Sequence, residues 1–207
     1  ALYDLGDKKF DIEDLKRRNV PCWLGVDLSS NIDLSFIVAI WRRENGSYVM
    51  WAWPFCPEDN LSEREERSQA PYRQWAKNFI TATPGPTIDF RVIEKRIREL
   101  HKEHDVQEVV FDPHMAKEMQ NNLMEDGLPI VNVNPTRSAI LMPGIMELER
   151  ALIAKDIRHG GHPVLRFCFL NAEVKRNQLG HPHRWVKPKR WLSIDGAVAA
   201  SMAMLRA

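Results

Sequence analysis

A chain of 207 residues, 44% hydrophobic and 28% charged, has the composition of a folded globular protein. With 29 Lys+Arg against 28 Asp+Glu its net charge is +1, so a polyanionic partner must be gripped by a local patch rather than a global field. No apolar stretch is long enough to span a bilayer, residues 1–10 lack a signal-peptide profile, and three scattered cysteines (Cys22, Cys56, Cys168) read as reduced thiols; the expectation is a protein neither secreted nor membrane-bound.

Residues 1–20 are polar, with a weak amphipathic pattern at Phe10, Ile12 and Leu15, and read as a linker or tether. A domain then runs from 21 to 207. Cys22–Asp27 is a short apolar run, and 35–41 is a second one rich in β-branched and aromatic residues. Asn45-Gly46 is a hairpin signal because both residues tolerate positive φ, and 48–53 follows it, which predicts a three-strand antiparallel meander. Residues 54–86 read as irregular. Apolar residues at helical spacing predict a helix over 88–104, and 106–111 reads as a strand buried on both faces. A helix from about 113 to 126 stops at Gly127, a strand covers 130–133, and a helix covers 139–154 despite Pro143-Gly144. Residues 163–179 fit no single pattern, 184–186 is a candidate strand, and 194–205 closes the chain as a helix of small residues. The order βββ, then αβαβα, predicts an α/β fold with a mixed sheet covered by helices on both sides.

Several common sites are missing. No Gly precedes a Lys, so there is no P-loop, and CxxC, HExxH, GxSxG and GxGxxG are all absent. Three aspartates carry the chemistry that remains. Asp27 ends a strand expected to be central, where a carboxylate is costly unless paired or bound to metal; it reads equally as a turn cap with Ser29 and Ser30. Asp112 ends the strand 106–111, and Asp112-Pro113 taken alone is a helix N-cap followed by Pro at N1. Asp195 opens the last helix behind Ser193, an N-cap candidate, but Gly196 and the alanines after it would let that helix approach the sheet closely. Together the three change the balance. Acids at strand ends lie where sheets of this kind place their sites, and converging carboxylates need hard divalent cations to be tolerated. Two such ions can activate water and stabilise the leaving oxygen of a phosphodiester. Asp33 is a fourth contributor across the first hairpin, or a solvated turn residue.

Gly25-Val26-Asp27-Leu28-Ser29 with Asp33-Leu34, Pro71-Tyr72 with Trp75, Val110-Phe111-Asp112-Pro113, Leu123 to Gly127, Glu147-Leu148-Glu149, Asn171 and Ile194-Asp195-Gly196-Ala197 occur in an order and spacing that is specific as a set. In these residues the chain resembles the nuclease domain of the large subunit of tailed-phage DNA-packaging terminases. The resemblance implies an RNase H-like fold. It implies a metal-dependent endonuclease that cuts concatemeric double-stranded DNA in the cytoplasm of an infected bacterium. Asp27, Asp112 and Asp195, with Asp33 less secure, would hold two Mg²⁺ or Mn²⁺ ions. Residues 1–20 would be the tail of a linker from an upstream ATPase motor domain, and the terminase small subunit and capsid portal would be partners.

Residues 171–190 hold Lys175, Arg176, Arg184, Lys187, Lys189 and Arg190 against Glu173 alone. Leading straight into Asp195, they are candidates for gripping DNA phosphates; otherwise they form a solvated face. His159, His162, His181 and His183 read as loop histidines rather than a zinc site, since no cysteine pair accompanies them. Two other readings remain open: another RNase H-like enzyme (junction resolvase, ribonuclease H or integrase), or a non-catalytic docking module of the packaging motor.

Overall fold

The computed structural model describes residues 1–29 and 34–207. After a 3-10 turn at Tyr3–Gly6 and a short helix α1 (Ile12–Arg17) come β1 (Cys22–Asp27), β2 (Ser35–Arg42) and β3 (Tyr48–Pro57). These are the predicted meander: β1 pairs antiparallel with β2, and β2 with β3. The chain continues through α2 (Leu61–Ser68), α3 (Tyr72–Trp75), β4 (Thr81–Thr83), α4 (Phe90–Glu103), β5 (Val106–Phe111), α5 (Lys117–Glu125) and β6 (Ile130–Asn132). It ends with α6 (Ser138–Ala154), β7 (Ile157–Arg158), α7 (Pro163–Asn171), the hairpin β8 (Glu173–Arg176) and β9 (Pro182–Val186), and α8 (Asp195–Arg206). Seven strands form one sheet in the order β4-β3-β2-β1-β5-β6, with β7 also on β3; β5 runs parallel to β1 and β6 parallel to β5.

The sheet is buried on both faces, and β2 shows why. Phe36, Val38 and Ile40 face a layer built from α6, α7 and α8, while Ile37, Ala39 and Trp41 face α1, α4 and α5. Alternation of side chains along a strand makes this division automatic.

Four expectations change. The segment 54–86 is ordered: β3 continues to Pro57, and the charged run after it folds as α2, where Arg67 and Glu63 pair at 2.8 Å. Pro54 is tolerated because it falls between the segments of β3 paired with β7 and β4, where the strand edge is open. Helix α5 starts at Lys117 rather than near 113, since Asp112 accepts the His114 N–H at 3.0 Å and Ala116 adopts a left-handed φ of 46° before the helix begins. The pattern-free stretch 163–179 holds α7 and then β8. His159 and His162 are core residues, 0% and 1% exposed. His159 Nε2 lies 2.6 Å from the Tyr3 carbonyl with the two rings stacked at 3.8 Å, and His162 Nδ1 accepts the Leu165 N–H to cap α7. Burial drives the His162 pKa down to about 4. Tyr3 and Leu15 are buried as well, so residues before β1 pack onto the domain.

Candidate metal centre

The parallel pair β1–β5 sets the site. Val26 stands opposite Phe111, so Asp27 and Asp112 are the next residues along two adjacent strands. Leu24, Val26, Val109 and Phe111 all pack on the α4 side. Alternation therefore turns Gly25 and Asp27 the other way, beneath α8, and continues to Asp112 beside Val110.

Gly25 lets α8 reach that surface. A Cβ at this position would overlap the Ala199 carbonyl and come within 2.9 Å of the Ala203 nitrogen, so helix backbone lies directly on strand backbone. Ala197, Ala199, Ala200 and Ala203 are all fully buried in this contact. Gly196 extends it: a Cβ there would stand 2.9 Å from Leu165 and 3.1 Å from the ring of Phe36, the β2 residue paired with Asp27. Asp195, one residue earlier, is thereby carried to the end of the sheet where Asp27 and Asp112 lie.

Cys168 ties two of the acids together from behind. Its thiol is buried and its pKa is pushed up to about 12, by burial first and then by the negative charge of Asp195, with a smaller contribution from Asp27. One buried sulfur feels both carboxylates. Ser193, also fully buried, donates its hydroxyl proton to Asp195 Oδ2, and Cys168 Sγ lies 3.6 Å from the Ser193 oxygen. Ser193 is thus not the cap expected from sequence: α8 begins after Ile194, and no side chain among the described residues caps it.

The donor set is all carboxylate oxygen, which suits a hard divalent cation better than a soft one. Among the described residues no three His, Cys, Asp or Glu side chains are already gathered as a metal-holding group, so what converges is the placement of the acids on their elements. Asp33 lies outside the described residues. Asp112 is not the helix N-cap that Asp112-Pro113 suggested, because α5 begins only at Lys117; its carboxylate accepts the His114 N–H, and its carbonyl accepts from the Met115 N–H and from Gln120 Nε2, both at 3.2 Å.

The basic residues are distributed unevenly. Lys175 stands opposite Arg184 on the β8–β9 hairpin, both exposed, whereas Arg176 is bound to Glu149 of α6 and to the Gly180 carbonyl. Lys187, Lys189 and Arg190 occupy the loop between β9 and α8, with Lys189 Nζ 5.4 Å from the centre of the Trp191 ring. Tyr72 and Trp75 are core residues packed edge-on against Phe167 of α7. Sequence reasoning missed Cys168 as part of the site, because nothing in a lone cysteine's neighbours along the chain points to an aspartate 27 residues later.

A meander extended by parallel crossover strands, with helices on both faces and acids at the strand ends, is an RNase H-like architecture. The large terminase nuclease of thermophilic phage G20c with bound magnesium shares it, with a TM-score of 0.59 at 12% identity over 90% of this chain and 81% of that one. The chain belongs to the family described as terminase large subunit, endonuclease domain, whose profile matches residues 4–207. The crystal structure of the HK97 bacteriophage large terminase has a TM-score of 0.86 at 26% identity, covering 100% of this chain and 42% of that one. In sequence, the large subunit of the terminase of Enterobacteria phage HK97 is 28% identical over 184 residues, 88% of this chain and 36% of that protein. Protein YmfN of Escherichia coli strain K12 is 27% identical over 214 residues, 97% of this chain and 46% of that protein. The chain thus spans less than half the length of these curated relatives.

Proposed function

We propose that the chain is a metal-dependent endonuclease that cuts concatemeric double-stranded DNA during viral genome packaging. The observation that carries the reading is the backbone contact of α8 on Gly25, which brings the helix bearing Asp195 over the ends of β1 and β5. Asp27, Asp112 and Asp195 would hold two Mg²⁺ or Mn²⁺ ions, with Asp33 as a further contributor. Bound there, the ions would supply Lewis acidity toward a phosphodiester oxygen and lower the pKa of water. The protein's own part is to hold three carboxylates, two at the ends of neighbouring strands and one on a helix whose backbone lies directly on Gly25. Lys187, Lys189 and Arg190, with Lys175, Arg176 and Arg184 along the hairpin, would contact DNA phosphates. Such contacts position a duplex without reading its sequence.

The lengths of the relatives support a larger protein, in which residues 1–20 lead from an upstream ATPase motor domain and the small subunit and portal are partners. No described helix is long and apolar enough to cross a membrane, and action in the cytoplasm of an infected cell is proposed from the likeness to a phage terminase alone. The test is Asp112→Ala, which should keep its fold and lose plasmid cutting in Mn²⁺ by roughly two orders of magnitude or more. Undiminished cutting would overturn the reading. A preference of the parent protein for four-way junctions or RNA–DNA hybrids over linear duplex would move it to another RNase H-like activity.

A further inference from the structure

The loop before α8 contains a polar chain that the cleavage reaction as described does not use. Ser193 stands one residue before Ile194, the N-cap of α8, which carries no side-chain cap among the described residues, and the Ser193 proton is directed to Asp195 Oδ2. Since that proton is committed, the remaining partner of the Ser193 oxygen, Cys168 Sγ at 3.6 Å, acts as the donor. Both Ser193 and Cys168 are 0% exposed, so water does not compete for either bond. Cys168 is fixed in turn by α7, whose start is capped by His162 and whose Phe167 packs against Tyr72 and Trp75.

We propose that Ser193 is a positioning residue for the metal centre: supported by the Cys168 thiol, it holds the Asp195 carboxylate in a single orientation before any ion arrives. A carboxylate free to rotate must be ordered when it binds a cation, and partners behind a ligand commonly change metal affinity 10–100-fold. The assignment rests on the reading of Asp195 as a ligand, and the two are tested separately by calorimetric titration of Mn²⁺ into the purified protein, with no DNA present.

Ser193→Ala should weaken Mn²⁺ binding by about 10-fold or more, and Ser193→Thr, which keeps the hydroxyl, should restore most of it. Cys168→Ala should give a smaller loss in the same direction. The metal-free Tm of each variant is measured alongside. If Ser193→Ala lowers that Tm but leaves the Mn²⁺ Kd within about twofold of the parent, Ser193 is only structural and the proposal is overturned. Asp195→Asn separates the two levels. Unchanged Mn²⁺ binding by Asp195→Asn removes the ligand reading itself, whereas lost binding there with unchanged binding in Ser193→Ala removes only the positioning role.

Discussion

On one side of the sheet α4 is held off by side chains: Ile93, Ile97 and Leu100 are fully buried against Leu24, Ile37 and Val109. On the other side α8 has almost no side chain between itself and β1, because Gly25 and a row of alanines let the two backbones touch. Gly144 repeats the device between α6 and α8, since a Cβ there would overlap the Ser201 carbonyl. Side-chain packing relaxes, because a rotamer change or a small shift absorbs a lost methyl group. Backbone contact does not. The candidate metal centre lies on the unyielding face, which suits a site where carboxylate positions matter to fractions of an ångström.

This contrast can be broken most sharply at Gly25. Gly25→Ala should cost about 3 kcal/mol or more of stability, read in urea titration, because nothing but the α8 backbone is available to move. Whatever remains folded should also bind Mn²⁺ more weakly. A variant as stable as the parent would mean that α8 can lift off, and the distinction between the faces would fail. On the opposite face, Ile97→Ala should cost about 2–5 kcal/mol but Ile97→Val only about 1, with the Mn²⁺ affinity of both unchanged. A metal-binding defect in Ile97→Val would show that rigidity is shared by both faces.

The last effect concerns acid. His162 has its pKa lowered to about 4 by burial, so between roughly pH 6.5 and 4 the unfolded chain holds a proton that the folded one lacks. Its contribution is fully present above pH 6.5 and is lost as pH falls toward 4, by about 3 kcal/mol at most. His162→Gln should flatten the stability profile across that window. A slope equal to the parent's would assign the acid sensitivity to other groups.

Much of the sheet was legible because its strands are dense in β-branched and aromatic residues and Asn45-Gly46 marks the turn. The hairpin β8–β9 was only half legible, since its exposed and half-buried strands leave no apolar alternation to read. Helix α2 was hidden by its charge, because its contact with the core depends on Leu61 and on Arg64, whose buried guanidinium lies over the Tyr72 ring. At the candidate site, the three acids were visible as strand-end and helix-start residues, and Gly196 with its alanines already suggested close approach. The Ser193–Cys168 pair was not visible, since it depends on which way one hydroxyl turns. Nor were the buried histidines, because Gly160 and Gly161 between them suggested an exposed loop, while desolvation is a property of the packed fold.

Among the described elements α8 follows every strand of the sheet, yet it rests on β1, the earliest of them. During translation the N-terminal parts of a protein leave the ribosome first, so Asp27 and Asp112 emerge long before the helix that brings Asp195 to them. Until synthesis has passed residue 206, the face of β1 that α8 covers, Gly25 included, is left bare.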